Sequence, residues 1–105
     1  MNYYLFLVTV PSIELGKKIG RILVETKLAA CVNIISNINS IYLWKNNIEE
    51  ENEHMLLIKT IDQNSDKLIE KVNELHSYEL PECIGIKIEK GSQQYLNWIK
   101  ESIEK

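Results

Sequence analysis

Leu28-Ala29-Ala30-Cys31-Val32-Asn33-Ile34-Ile35, followed by Ser40-Ile41-Tyr42-Leu43-Trp44, decides the fold. It joins the end of a helical pattern to one very long extended segment, Cys31 to Lys45. Only the polar centre Ser36-Asn37-Ile38-Asn39 weakens that segment. Asn46-Asn47 reads as a two-residue turn, because asparagine tolerates positive φ. Ile48 to Ile61 then runs back. Its alternation puts Met55, Leu57 and Lys59 on one face and His54, Leu56, Ile58 and Thr60 on the other, the period of a strand.

Upstream, Tyr3 to Val10 is aromatic and β-branched on both faces, which suits a central strand covered on both sides. Pro11-Ser12 ends it, and Ser12 can cap a helix with Glu14 near its positive end. Ile13, Gly16, Ile19/Gly20 and Leu23 recur at helical spacing. The two glycines share one face, which points to close packing on a sheet. Downstream, a second helix is expected from about Ser65, with Leu68/Ile69, Val72 and Leu75/His76 inward. The loop Ser77 to Pro81 leads to a strand, Cys83 to Glu89. Gly91-Ser92 opens a terminal helix with Tyr95, Trp98, Ile99 and Ser102/Ile103 on one face.

This order predicts one α+β domain over residues 1–105: a ferredoxin-like βαββαβ sandwich, strand order 4-1-3-2, with an added C-terminal helix. Each hairpin arm of about 14 residues could reach ~46 Å at ~3.3 Å per residue. A domain of this length has a diameter of about 33 Å. The arms therefore bend or project, and the polar 36–39 stretch is a plausible bulge. A bare projecting hairpin carrying Ile41, Tyr42, Leu43 and Trp44 is an aggregation hazard. Strand pairing with another subunit removes it; a frayed, shorter hairpin is the alternative.

Composition excludes several classes. Apolar residues make up 45% and charged residues 26%, and the net charge is −3. Weak acidity gives no footprint for nucleic acid or anionic membrane. No apolar run approaches the roughly 18–20 residues of a membrane span. Tyr3 to Val10 lacks the basic flank and cleavage site of a signal peptide. Two cysteines without CxxC spacing do not make a disulfide framework, which favours a reducing, cytoplasmic setting.

Several separated blocks resemble the CutA family, the divalent-cation tolerance proteins. They are Thr9-Val10-Pro11, Leu28 to Ile34, Ser40-Ile41-Tyr42-x-Trp44, Glu53 to Thr60, His76 to Glu82, and Tyr95-x-x-Trp98-Ile99. The resemblance implies a ferredoxin-like fold and a tight homotrimer whose long hairpins pair between subunits. It also implies a relation to divalent cations, with copper binding attributed to some members, and it implies no enzymatic activity. Departures are Ser36 and Ser77 where proline is common, and Leu43 where a second aromatic is common. Asn46-Asn47 stands in place of a glycine-containing turn, and Cys83 replaces an aliphatic residue.

For copper(II) or another divalent cation, the candidate ligands are Cys31, His76 and Cys83, since thiolate and imidazole suit copper and zinc. Their spacing is not that of a metal motif, and the strand order sets Cys31 and Cys83 at opposite edges. Only a neighbouring subunit would bring the two together. The structural alternatives are buried thiols and a protonated His76 at a helix C-terminus. A second constellation is Trp44, Lys59, Tyr78 and Glu82. Lys59 is the only charge between Met55 and Ile61, so it needs an acidic partner or an aqueous cleft. These residues either line an inter-subunit cleft for a small anion or metabolite, or form an interface salt bridge. The acidic run Glu49-Glu50-Glu51-Glu53 reads as a solvated turn region. No nucleophile, phosphate loop or catalytic carboxylate pair stands out. The leading expectation is thus a trimeric copper-binding tolerance protein acting by sequestration or sensing. The alternative is a signalling trimer of the PII type, a fold-level analogy.

Overall fold

The long segment forms a hairpin in the computed structural model, which describes residues 1–104. Strand β2 (Cys31–Trp44) runs antiparallel to β3 (Asn47–Ile61), from Cys31 opposite Lys59 to Trp44 opposite Asn47. The register shifts between Ile35 and Ile38, where Asn37 takes φ 62°. The polar stretch is therefore a bulge, as its composition suggested. His54 pins it: Asn37 N–H donates to His54 Nδ1 at 3.2 Å. The turn lies one residue earlier than expected. Lys45 (φ 50°) and Asn46 (φ 68°) form it, while Asn47 already pairs with Trp44. Two successive positive φ values mark the type I′ geometry that matches strand twist.

Strand β1 (Tyr3–Val10) lies between β3 and β4 (Cys83–Ile88), antiparallel to both, giving the sheet order β2-β3-β1-β4. Helix α1 (Ile13–Glu25) starts at Ser12, whose Oγ accepts from Leu15 N–H at 3.2 Å. Helix α2 (Ser65–Leu75) follows one 3-10 turn, Asp62–Asn64. Both pack on the face carrying Phe6, Val8, Val10, Leu56 and Ile58 through Ile19, Leu23, Leu68 and Val72. The helix glycines sit where the backbone meets the sheet. A Cβ on Gly16 would lie 3.2 Å from Leu56, and one on Gly20 would lie 3.1 Å from Val32.

Helix α1 ends without a glycine. Lys27 adopts φ 61°, its N–H donates to Val24 O, and Leu28 N–H donates to Leu23 O at 2.9 Å. This double bond pattern closes the helix and turns the chain into β2.

The opposite sheet face differs from expectation. On the odd-numbered side of β1, helix α3 (Gln93–Glu104) covers the end near Tyr3, packing Ile99 and Ile103 against Ala30 and Ile61, and Thr9 is buried at the other end, while Leu5 and Leu7 between them are half-buried. The helices α1 and α2 both occupy the other face, so Ile35, Ile84 and Ile86 stay about half exposed. On α3 the buried stripe is Leu96, Ile99 and Ile103; Tyr95 and Trp98 stack on each other at 5.5 Å with their outer sides exposed.

Gly85 of β4 lies against the buried Phe6 ring, where an added Cβ would come within 2.7 Å of two ring carbons. We expect Gly85→Ala to lower unfolding free energy by about 1–3 kcal/mol through overpacking. Urea unfolding checks this; an unchanged or raised midpoint contradicts the packing argument.

Candidate functional site

A cavity of about 630 Å³ opens where the hairpin leaves the domain. One wall is the hairpin, through Ser40 to Trp44 with Glu51 and Glu53. The other is the loop after α2, through Tyr78, Glu79, Leu80 and Glu82, with Thr9 at the floor. Strand alternation explains the first wall. Ser40 stands opposite Glu51, and Tyr42 and Trp44 follow at two-residue steps on the same side.

The loop is tied down by a short relay. Tyr78 N–H donates to His76 Nδ1 at 3.1 Å, which leaves Nε2 protonated to donate to Thr9 O at 2.7 Å. The His76 ring packs against the Tyr78 ring at 4.6 Å. Tyr78 O–H then donates to Glu53 Oε2 at 2.6 Å. Glu53 is only 5% exposed, so this hydrogen bond satisfies a buried carboxylate. On the outer wall Tyr42 O–H donates to Glu51 Oε1. Burial and the Glu53 carboxylate hold the Tyr78 phenol well above its ordinary range. The Glu51 hydrogen bond pushes Tyr42 up to about 12.

The cavity gathers Trp44, Tyr78 and Glu82, while Lys59 lies elsewhere. Six residues beyond Glu53 along β3, roughly 20 Å at strand spacing, it stands on the sheet face that α1 and α2 leave open. Its ammonium donates to Asn33 Oδ1 and approaches Cys31 Sγ at 3.9 Å. Among the described residues no carboxylate pairs with it. An amide oxygen across the strand replaces the acidic partner that its apolar surroundings suggested.

Cys31, His76 and Cys83 stand apart. Cys31 begins edge strand β2 and Cys83 begins the opposite edge, β4. Both thiols are free and half-buried. Burial, then Glu82, pushes the Cys83 thiol up to about 11. Both ring nitrogens of His76 hold the loop, Nδ1 by accepting from Tyr78 N–H and Nε2 through Thr9 O. Among the described residues, no three His, Cys, Asp or Glu side chains cluster closely enough to hold a metal ion. Sequence reasoning passed over Tyr42, Glu51 and Glu53 by reading the acidic run as a solvated turn. Its two-residue alternation, Glu49, Glu51, Glu53, carried the signal that one side of the strand is acidic and shared.

The Tyr78–Glu53 pair gives a pH prediction. A tyrosine with a raised folded pKa stabilises the fold below the unfolded value near 10 and loses that contribution as pH climbs above it. We expect stability to fall above about pH 10, and less steeply in Tyr78→Phe. At neutral pH, Tyr78→Phe should lose about 1–3 kcal/mol, because Glu53 stays buried without its donor. Denaturant unfolding from pH 7 to 11 reads both; parallel profiles for the two proteins contradict the assignment.

The CutA1 divalent ion tolerance protein family matches residues 4–102. Among curated relatives, the divalent-cation tolerance protein CutA of Thermus thermophilus is 44% identical over 96 residues, covering 91% of this chain and 93% of that protein. The chloroplastic protein CutA of Arabidopsis thaliana is 45% identical over 90% of this chain, which spans only 52% of that longer protein. Among solved structures, the Thermus thermophilus divalent cation tolerance protein superposes with a TM-score of 0.93 at 42% identity, covering 95% of this chain and 97% of that one. CutA from Xylella fastidiosa gives 0.95 at 37% identity, covering 98% and 99%.

Proposed function

The chain belongs to the CutA1 divalent ion tolerance family, and from that premise we propose that it acts in divalent cation tolerance as a homotrimer. The observation that carries the assembly is the hairpin. Ile41 is 67% exposed, Leu43 68% and Ile48 79%, on a two-stranded arm of a molecule measuring 44 × 25 × 23 Å. The outer edge of β2 presents unpaired backbone groups beside these side chains. Apolar side chains and an open edge on one projecting arm favour strand addition between copies. The half-exposed isoleucines of the open sheet face support the same reading.

Copper(II) is the divalent cation of first choice in this reading. The donors of one chain do not fit a copper centre, because Cys31, His76 and Cys83 are held apart and the imidazole is fully engaged. Protein-held copper would lie between subunits, where a β2 edge carrying Cys31 could meet a neighbour's β4 edge carrying Cys83. The role is sequestration or sensing, with no reaction assigned. A reducing compartment such as the cytoplasm suits two free thiols. No helix among the described residues is long and apolar enough to cross a membrane. The family is not confined to one compartment, since a CutA structure from Archaeoglobus fulgidus is described as periplasmic.

The cleft beside the hairpin favours a second reading, a trimer of the PII signalling type in which this cleft receives a small molecule. Its size falls within the ~300–1,000 Å³ usual for ligand sites.

Light scattering should give three times the 12.2 kDa chain mass, and Leu43→Glu should lower it. Copper titration by calorimetry on the metal-free protein should saturate at a whole-number ratio per trimer. Cys31→Ser should weaken that binding by roughly tenfold or more with the mass unchanged. A concentration-independent monomer sinks the assembly; nonstoichiometric copper uptake by an intact trimer sinks the copper reading.

A further inference from the structure

One chain leaves opposite charges unmatched at two places. Glu51, Glu53, Glu79 and Glu82 line the cleft, and no lysine, arginine or histidine stands in its walls. Lys59 is the reverse case: among the described residues no carboxylate pairs with it. Glu53 and Lys59 stand an even number of residues apart on β3, so both face the side of the sheet that α1 and α2 leave open. Within one chain their separation is roughly 20 Å, far beyond a salt bridge. We propose that the partner subunit's Lys59 enters the cleft and pairs with Glu53, so that each cleft of the assembly is completed by a neighbouring copy. This rests on the homotrimer reading.

Both groups have capacity left for the contact. An ammonium carries three donors. In Lys59 one goes to Asn33 Oδ1 and a second approaches Cys31 Sγ at 3.9 Å, which leaves a third. Glu53 receives the Tyr78 hydroxyl on Oε2 alone, and its Oε1 takes no hydrogen bond among the described residues. Glu53 is also the buried member of the four, at 5% exposure, and so has the least access to water as an alternative partner.

Assembly makes the pairing necessary. The open sheet face and the hairpin wall of the cleft are the surfaces that a second copy covers. Covering Lys59 with apolar side chains, or the cleft without a cation, strands a charge away from water. Each patch supplies what the other lacks. The two patches differ, so the contact is head-to-tail rather than self-complementary, the type that closes into a ring. Three copies then make three identical pairs. Asn33 aims the ammonium and Tyr78 aims the carboxylate, which gives the contact a fixed register.

Sedimentation equilibrium reads the trimer association constant of wild type, Lys59→Met, Glu53→Gln and the double variant. Lys59→Met should lower it by roughly a hundredfold or more, because Glu53 is left buried without its cation. Glu53→Gln keeps an oxygen for the Tyr78 hydroxyl and should weaken assembly as much. The double variant should be little weaker than either single one, the behaviour of two groups in direct contact. Residues so far apart in one chain do not couple within it, so that non-additivity arises between copies. Effects that multiply overturn the pairing. So does a Lys59→Met trimer that holds as tightly as wild type or tighter, the result expected of an ammonium buried without a carboxylate. That arm alters a partly exposed lysine and decides the question alone should Glu53→Gln misfold. A monomeric wild type sinks the homotrimer reading, whereas a wild-type trimer with multiplying effects sinks only this contact.

Discussion

Strand β3 has 15 residues, about 50 Å if fully extended, in a molecule whose two smaller extents are 25 and 23 Å. A strand that long cannot be paired along its whole length by β1, which has only eight residues. The β1–β3 pairing ends at Val10 opposite His54, and beyond it β3 is held by β2 alone. Everything distinctive about the molecule follows from this mismatch. The inner half of the hairpin belongs to a packed sheet, and the outer half is a two-stranded ribbon with apolar side chains in solvent. The bulge at 36–37 sits near the boundary between the two regimes, where extra twist is absorbed most easily.

The same boundary creates the cleft. Where β1 stops, the chain leaves a notch between the hairpin stem and the loop returning from α2. The relay from Thr9 through His76 and Tyr78 to Glu53 spans that notch with hydrogen bonds instead of hydrophobic packing. A buried carboxylate bound by a phenol is stable only while both members are present. It fixes the loop more sharply than apolar contact of the same area could, because hydrogen bonds are directional.

Most of the architecture was legible from local pattern. The two-residue alternation of Leu56 and Ile58, the helical spacing of Ile19 and Leu23, and Ser12 as a cap each encode an element through near neighbours. The bulge was legible because a polar run interrupting an apolar strand weakens regular pairing at that point. The turn was displaced by one residue because Lys45, not Asn47, takes a positive φ. A lysine gains no local advantage there, so strand register decided it. The cleft was half legible. Trp44, Tyr78 and Glu82 line one cavity, whereas Lys59, grouped with them as the lone charge on an apolar strand face, lies outside it.

The sequence by itself determined the order of elements, the faces of each strand and the length of the hairpin, since these follow from periodicity and residue type. Only the tertiary structure decided which polar groups meet. Glu53 and Tyr78 are 25 residues apart, and Lys59 and Asn33 are 26 apart. No local propensity links such pairs. Their meeting depends on sheet register and on where a loop crosses the sheet's end. That register placed a carboxylate in a buried notch, gave Lys59 an amide for a partner, and left Lys59 outside the cavity that Trp44, Tyr78 and Glu82 share.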